Sequence, residues 1–238
     1  MIKAFFAREA AKLKAMSFEE QRWYIWTYYK LPIMFTVFGI LAIGSLINTW
    51  FINPPKRDYV YIAWQAGHVN MMALDNLGED LSVIVENPDR YQVAVRSYVI
   101  SDDLDPQMIQ ALITRFHAML SVGGIHAIIS TYEGVMEQAE VEIIRPICEV
   151  VDILREWEYE LYTMLADRLL TITYTPDEQE HERTGLMAIN VSGAPLLVEH
   201  GLSSDGLYLT LVVNATPVEG IASTIMAMFG FGDFGYDE

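Results

Sequence analysis

The sequence is poor in the residue types that catalyse reactions or hold metals. Its single cysteine, Cys148, rules out an intramolecular disulfide and a cysteine-rich zinc site, and it is expected to be buried as a small apolar residue. No two histidines have the i, i+4 spacing of zinc proteases (His68, His117, His126, His181 and His200). Glycine-rich phosphate loops and the Gly-x-Ser-x-Gly nucleophile elbow are also absent. We therefore expect no enzyme activity, no cofactor and no resident metal.

Two acidic clusters deserve the same test, because carboxylates bind calcium when they alternate along a loop. Asp102, Asp103 and Asp105 lack that alternation and the terminal Glu, and Asp105 before Pro106 is instead typical of a helix N-cap. Glu178, Glu180, His181 and Glu182 lie in a polar segment between two strand-like runs. A solvated turn explains this second cluster, with a weak cation site as the alternative.

The chain does contain one long apolar run. Residues 31–52 are twenty-two consecutive uncharged residues, and a helix of that length, at about 1.5 Å per residue, crosses a hydrocarbon core of about 30 Å. Thirty residues precede the run and bulky side chains end it at Trp50, Phe51 and Ile52, unlike a cleaved signal peptide. The run predicts one uncleaved transmembrane helix.

Charge is distributed very unevenly about this run. Residues 1–30 carry six Lys and Arg against three Glu, whereas residues 58–238 carry 29 Asp and Glu, seven Arg and no Lys. Because basic flanks stay inside, we expect a cytoplasmic N-terminus and an extracytoplasmic C-terminal domain in the cell membrane. The acidity argues against nucleic acid or anionic lipid as a partner of that domain.

The leader, residues 1–30, is expected to form amphipathic helices at the cytoplasmic membrane surface. Ser17 and Glu20 have the spacing of a capping box that starts a helix. Aromatic and basic residues suited to the headgroup layers flank the span on both sides, and are predicted to anchor it: Trp23, Tyr24, Trp26, Tyr28, Tyr29 and Lys30 before it, and Trp50, Lys56 and Arg57 at its outer end. Binding of a protein partner by the inner aromatic cluster is the alternative.

Beyond a Pro-rich exit linker, residues 53–57, strand-like and helix-like runs alternate, which favours an α/β domain over residues 58–229 with a mostly parallel sheet. A hairpin is predicted over residues 169–191, and a flexible acidic tail over residues 230–238. The remaining strands are predicted at residues 59–64, 91–100, 125–130 and 207–214, and helices at residues 69–81, 105–120, 153–167 and 217–229.

Three segments carry a resemblance to a known group. Trp26-Thr-Tyr-Tyr-Lys30 before a single span, Tyr59-Val-Tyr-Ile-Ala63 after it, and Gly193-Ala-Pro-Leu-Leu197 ahead of Ser204–Asn214 resemble uncharacterised membrane-anchored proteins of Gram-positive bacteria. The outer part of those proteins is a reduced type 2 extracellular solute-binding domain. The resemblance implies a reduced periplasmic-binding-protein-like fold, and it carries over no ligand residues.

These observations predict a membrane-anchored extracytoplasmic binding or interaction module, an accessory subunit of a membrane complex such as a transporter. Its expected partners are the lipid bilayer and other integral membrane proteins, with a small-molecule ligand as a further possibility. A purely structural subunit that packs on neighbouring membrane proteins is the alternative, and an enzyme of unknown type is the third.

Overall fold

The structure, a computed structural model, describes residues 10–52, 54–100, 104–177 and 181–232. The chain divides into two compact units, Met1–Pro55 and Lys56–Glu238. The predictions made for residues 1–9 of the leader, for Asp102 and Asp103, for Glu178 and Glu180, and for residues 233–238 of the tail lie outside the described residues.

The first unit is dominated by one long helix, α1, spanning Phe18–Ile47 and continuing as a π-helical turn over Asn48–Ile52. The predicted capping box is confirmed, since the main-chain N–H of Ser17 donates to Glu20 Oε2 at 2.8 Å and Ser17 Oγ accepts from the Glu20 N–H. The stretch Phe18–Ile52 reaches a mean hydropathy of 2.0, and none of its most apolar window is buried. It is long and apolar enough to span a membrane.

A sharp turn separates α1 from the helical residues 10–14 that precede it. The side-chain amide of Gln21 donates to the carbonyl oxygens of Leu13 and Met16 at 2.9 and 3.0 Å. Carbonyls at a helix end have no partner inside their own helix, so Gln21 caps the end of the leader helix from the first turn of α1. These two hydrogen bonds hold residues 10–16 against the start of α1.

The second unit is built on seven strands and seven helices within its described residues. The strands are β1 Arg57–Trp64, β2 Tyr91–Ser97, β3 Ala127–Ser130, β4 Ile144–Arg145, β5 Leu169–Tyr174, β6 Arg183–Asn190 and β7 Tyr208–Val212. The helices are α2 Met71–Leu81, α3 Pro106–Ser121, α4 Tyr132–Glu140, α5 Cys148–Trp157, α6 Tyr159–Leu165, α7 Pro195–Glu199 and α8 Val218–Met228, with 3-10 turns at Ser82–Ile84 and Ala166–Arg168.

The strands form one open mixed sheet in the order β2-β1-β3-β7-β6-β5, with β4 also paired to β7. The prediction of a mostly parallel sheet is wrong, because only β1 with β2 and β1 with β3 are parallel pairs. The predicted hairpin is confirmed as the antiparallel pair β5 and β6. A second tight turn, at Asp205 and Gly206, leads into β7, which runs antiparallel to all its neighbours. The short β5–β6 connection cannot make the crossover that parallel strands need, whereas β6 and β7 are joined by residues 191–207, which include α7.

Helices cover both faces of the sheet. On one face, Gly220 of α8 lies so close to Val60 that a Cβ there would touch the Val60 side chain. On the other face, the ring of Phe116 in α3 contacts the ring of Tyr98, whose hydroxyl is hydrogen-bonded to that of Tyr61. Val60 and Tyr61 are consecutive in β1 and point to opposite faces, so α8 and α3 lie in different layers. Burial on both faces explains why β1 reads as a continuous apolar run, with every residue from Val60 to Trp64 at most 3% exposed.

The edge of the sheet at β2 is covered by α2. The Ser82 hydroxyl accepts a hydrogen bond from the Val93 N–H at 2.9 Å and donates to the Gly78 carbonyl at 2.7 Å. A Cβ at Gly78 would lie 2.7 Å from the Val93 carbonyl oxygen, so only glycine lets the helix come this close to the strand backbone. An edge strand left open is a site of aggregation, and α2 protects this one.

Several predicted boundaries differ from those observed, and the helix predicted at residues 153–167 is instead the end of α5, Cys148–Trp157, followed by α6, Tyr159–Leu165. Arg57, assigned to the exit linker, is the first residue of β1 and pairs with Tyr91, so the linker ends at Lys56. Gly230 and Phe231, assigned to the flexible tail, end α8 instead, since the Phe231 N–H donates to the Met226 carbonyl at 2.8 Å and its ring packs on the core. The left-handed Gly230, with φ of 73°, permits this helix ending.

The contact of α2 with β2 generates a stability prediction. Gly78→Ala should lower the free energy of unfolding by about 1–3 kcal/mol, because the new methyl group overlaps main-chain atoms that cannot move aside. The measurement is urea unfolding of the full chain in detergent, followed by near-ultraviolet circular dichroism. Gly39→Ala is the matched control, because nothing lies within 4 Å of a Cβ at that position. Equal stability of the two variants would contradict the proposed close approach.

Candidate functional site

The order of the strands creates a switch point beside the central strand. From β1 the chain passes to β2 on one side, whereas β3 lies on the other side of β1 and leads on toward β4 and β7. In open α/β sheets, the crevice beyond the carboxyl ends of strands at such a point is the usual ligand site. Gln65 follows β1 at this edge, Tyr98 follows β2, and Ser130 ends β3.

A chain of hydrogen bonds crosses the site beneath α4. Gln138, 6% exposed, donates from Nε2 to Gln65 Oε1 at 3.0 Å. The buried Thr210 hydroxyl lies 3.2 Å from both Gln138 Oε1 and the Ile128 carbonyl oxygen, and donates to them. A buried amide is costly without partners, so this chain ties β1, α4 and β7 together at one edge. It also fixes the orientation of Gln65, whose Nε2 bonds no other described residue.

Gln65 forms one wall of a small cavity below α3. The cavity has a volume of about 70 Å³, and its walls are formed by Gln65, Tyr98, Ile100, Leu112, Phe116 and His117. This volume matches about two water molecules at about 30 Å³ each. Pockets for drug-sized ligands measure about 300–1,000 Å³. In this conformation the cavity therefore accommodates water or one polar group of a ligand, and not a whole solute.

Ser130 is the second polar group at this edge. Its hydroxyl is buried and has no hydrogen-bond partner among the residues that the structure describes, and it lies 3.2 Å from the position of a Cβ on Gly134, in the first turn of α4. Thr131 caps that turn by accepting a hydrogen bond from the Gly134 N–H at 3.3 Å. Ser130 is 1% exposed, so a ligand from solvent reaches its hydroxyl only if α4 moves.

Two buried ionisable residues stand behind the cavity, at the level of β1. The hydroxyls of Tyr61 and Tyr98 lie 2.8 Å apart, and burial together with that hydrogen bond raises the pKa of Tyr61 well above its ordinary value. The Tyr61 N–H donates to His126 Nδ1 at 3.0 Å, which requires an unprotonated ring nitrogen. Burial lowers the pKa of His126, although a hydrogen bond with the Thr216 main chain acts in the opposite direction and raises it. Both side chains are thus neutral at pH 7 and serve the packing of the sheet.

The predicted anchoring residues lie in the first unit or at the start of the second. Trp23, Tyr24, Trp26, Tyr28, Tyr29 and Lys30 all belong to α1, Trp50 lies in its π-helical end, Lys56 precedes β1 and Arg57 begins it. Tyr24 stacks against Tyr28 and Tyr29 with ring centroids 4.8 and 6.0 Å away, whereas the indoles of Trp23 and Trp26 are exposed. Their position at a membrane interface stays a prediction.

The structure also places the remaining predicted residues. Asp105 is the N-cap of α3, as expected, and accepts a hydrogen bond from the Gln107 N–H at 2.7 Å. Cys148 is exposed, so the expectation of a buried thiol is wrong. It is the first residue of α5, whose inward face is formed by Val150, Val151 and Leu154 instead. Within the described ranges, no group of three His, Cys, Asp or Glu residues is placed to hold a metal ion.

Sequence reasoning did not identify Gln65, Gln138 or Thr210. Gln65 directly follows the apolar strand that ends at Trp64, and a polar residue in that place is a recognisable signal. Gln138 and Thr210 are separated by 72 residues and meet only in the folded sheet. Comparison of the chain with protein-family models, curated proteins and solved structures finds no match.

The burial of His126 makes stability depend on pH. Its pKa is lowered in the folded state, so below about pH 6.5 the unfolded chain binds a proton that the folded chain does not. The free energy of unfolding should therefore fall as the pH drops from 7 to 5.5, with a slope of at most about 1.4 kcal/mol per pH unit from this residue.

Urea unfolding at several pH values measures this dependence. His126→Asn should remove the contribution, so that the stability difference between parent and variant narrows on acidification. The exposed His68→Asn is the control and should follow the parent curve. A His126→Asn curve parallel to that of the parent would contradict the assignment.

Proposed function

We propose that this protein is a membrane-anchored extracytoplasmic interaction module, an accessory subunit of a membrane complex such as a transporter. The observation that carries the proposal is the exposure of the apolar side chains of α1. Its apolar side chains are exposed all along the helix, with Phe35 70% and Ile40 65% exposed, and no residue of α1 is buried. Burying such side chains in lipid or against other membrane helices stabilises them by about 1.5–3 kcal/mol each.

The charge distribution supports the orientation within this proposal. The leader is basic, whereas residues 58–238 carry 29 Asp and Glu against seven Arg and no Lys. A basic flank is retained in the cytoplasm, whereas a long folded domain is exported largely regardless of its charge. The turn held by Gln21 lets the helical residues 10–14 run in a different direction from α1, which suits a helix that lies along the membrane surface.

The small size of the cavity beside Gln65 favours interaction with a protein over capture of a solute. About 70 Å³ is far below the volume of a solute site, and the sheet is mixed instead of mostly parallel. The resemblance to reduced solute-binding domains is consistent with a fold that keeps a surface role after its cleft is lost. A purely structural subunit, packed through leader, span and outer unit, is the alternative form of the same proposal.

Small-solute binding is a second candidate, because Gln65 offers a positioned amide at the switch point. Thermal-shift screening of the full chain in detergent against amino acids, short peptides and sugars tests it. Stabilisation by one of these compounds that is lost in Gln65→Leu but kept in the exposed Gln107→Leu would support solute binding. Equal shifts in both variants would show that the compound binds elsewhere.

The principal test combines topology with association. A reporter enzyme fused after Glu238 should be active only outside the cytoplasm, and the chain should sediment with membranes after lysis. Mild solubilisation should then yield a complex larger than the chain with a defined integral membrane protein in it. A soluble chain, a cytoplasmic reporter or a monomer in every mild detergent would overturn the proposal.

The inner aromatic residues separate anchoring from partner binding. If α1 docks on a neighbouring subunit through its exposed indoles, Trp23→Ala with Trp26→Ala should lower the co-purified partner by at least fivefold while the chain stays in the membrane fraction. Trp50→Ala, which removes an equally exposed indole from the opposite end of the helix, is the control. Unchanged co-purification would assign the indoles to lipid contact alone.

A further inference from the structure

The outward side of α5 and α6 exposes large apolar side chains. Val150 and Leu154 are buried, and α5 packs on α8. Trp157, the last residue of α5, is 48% exposed, and Tyr159 and Met164 of α6 are 68% and 42% exposed. We call the surface formed by Trp157, Tyr159 and Met164, together with the acidic residues of these two helices, the α5–α6 face. Single exposed apolar residues are common, but three of them lie here within eight positions.

The residue types of the α5–α6 face are those enriched at protein interfaces. Trp, Tyr and Met are over-represented in interface cores, and Trp and Tyr dominate the residues that contribute most binding energy. The Tyr159 and Tyr162 ring centroids are 5.9 Å apart, and Arg155 lies 6.0 Å from the Tyr162 centroid. Arg155 is itself held by Asp152 at 2.7 Å. These contacts restrict the rings before a partner arrives, which lowers the entropy lost on binding.

Strong negative charge surrounds these side chains. Between residues 148 and 165 the chain has five carboxylates and one basic residue, Arg155. Asp152 and Glu149 are paired with arginines, whereas Glu156 and Glu160 form no ion pair with any residue in the described part of the chain. Such a surface repels anionic lipid and nucleic acid and attracts a cationic partner.

We infer that the α5–α6 face docks a segment of an integral membrane protein that is rich in Lys and Arg. The inference rests on the proposed function, because the anchor confines the face to the membrane vicinity. The aromatic side chains supply the apolar contact, and the unpaired carboxylates of Glu156 and Glu160 supply the charge that selects the partner. Charge complementarity accelerates the encounter and disfavours acidic competitors, so the binding weakens as salt increases.

Site-specific cross-linking in native membranes tests this inference. The full chain carries a photo-reactive amino acid in place of Tyr159, and the cross-linked peptide of the partner is identified by mass spectrometry. We expect one membrane protein, linked through a segment of net positive charge, with a yield that falls at least fivefold when the salt rises from 0.1 to 0.5 M.

Charge reversal supplies the matched comparison. Glu156→Lys with Glu160→Lys should reduce the cross-link at least fivefold, whereas Glu133→Lys with Glu137→Lys, an equal change at exposed positions of α4, should leave it within twofold. Circular dichroism of each variant verifies that it is folded. Any loss seen in the α4 variant as well would show that only the net charge of the unit matters, which overturns a specific face.

The remaining outcomes are also decisive. A cross-linked segment that is neutral or acidic, a product containing lipid only, or no product at position 159 overturns the docking inference. If the complex still co-purifies in those cases, the proposed function stands and its interface lies elsewhere on the chain. If the reporter fusion places the C-terminus in the cytoplasm, the proposed function itself fails.

Discussion

The apolar side chains of α1 are exposed along the helix, and the interpretation of the whole protein depends on what buries them. Thirty helical residues followed by a π-helical turn expose Leu, Ile, Phe and Trp side chains along their length. In water such a surface is unstable, and large exposed apolar patches mark sites of lipid or protein contact. A capping box at one end and a glutamine that caps the leader show that the helix begins at a defined residue.

The second unit buries its apolar side chains within its own fold. The middle of its sheet is buried between helical layers, with residues Val60 to Trp64 of the central strand at most 3% exposed, and α2 covers the edge at β2. Little room is left at the switch point, where hydrogen bonds join Gln65 through Gln138 to Thr210 and the cavity beside Gln65 measures about 70 Å³. A unit organised in this way offers its outer surface for binding more readily than its interior. The exposed aromatic side chains and unpaired carboxylates of the α5–α6 face are the part of that surface best suited to a cationic protein partner.

Local patterns predicted the elements that are governed by local interactions. The Ser17 and Glu20 capping box, the Asp105 N-cap and the β5–β6 hairpin all depend on residues a few positions apart, and each is found as predicted. The short elements β4 and α7 are not predicted by periodicity, because two and five residues hold too little of a pattern. The exposed side of Cys148 likewise depends on how α5 rotates onto α8, which composition does not encode.

The sequence by itself determined that one long apolar helix precedes a strongly acidic α/β unit, because run length and charge are properties of consecutive residues. It also determined which segments of that unit form most of its strands and helices. Only the tertiary structure decided that β7 inserts antiparallel between β3 and β6, that Gln65, Gln138 and Thr210 meet, and that Trp157 and Tyr159 face outward among carboxylates. The physical reason is that strand order and side-chain partners depend on packing between residues far apart in the chain, and many pairings satisfy the same alternation of apolar and polar residues.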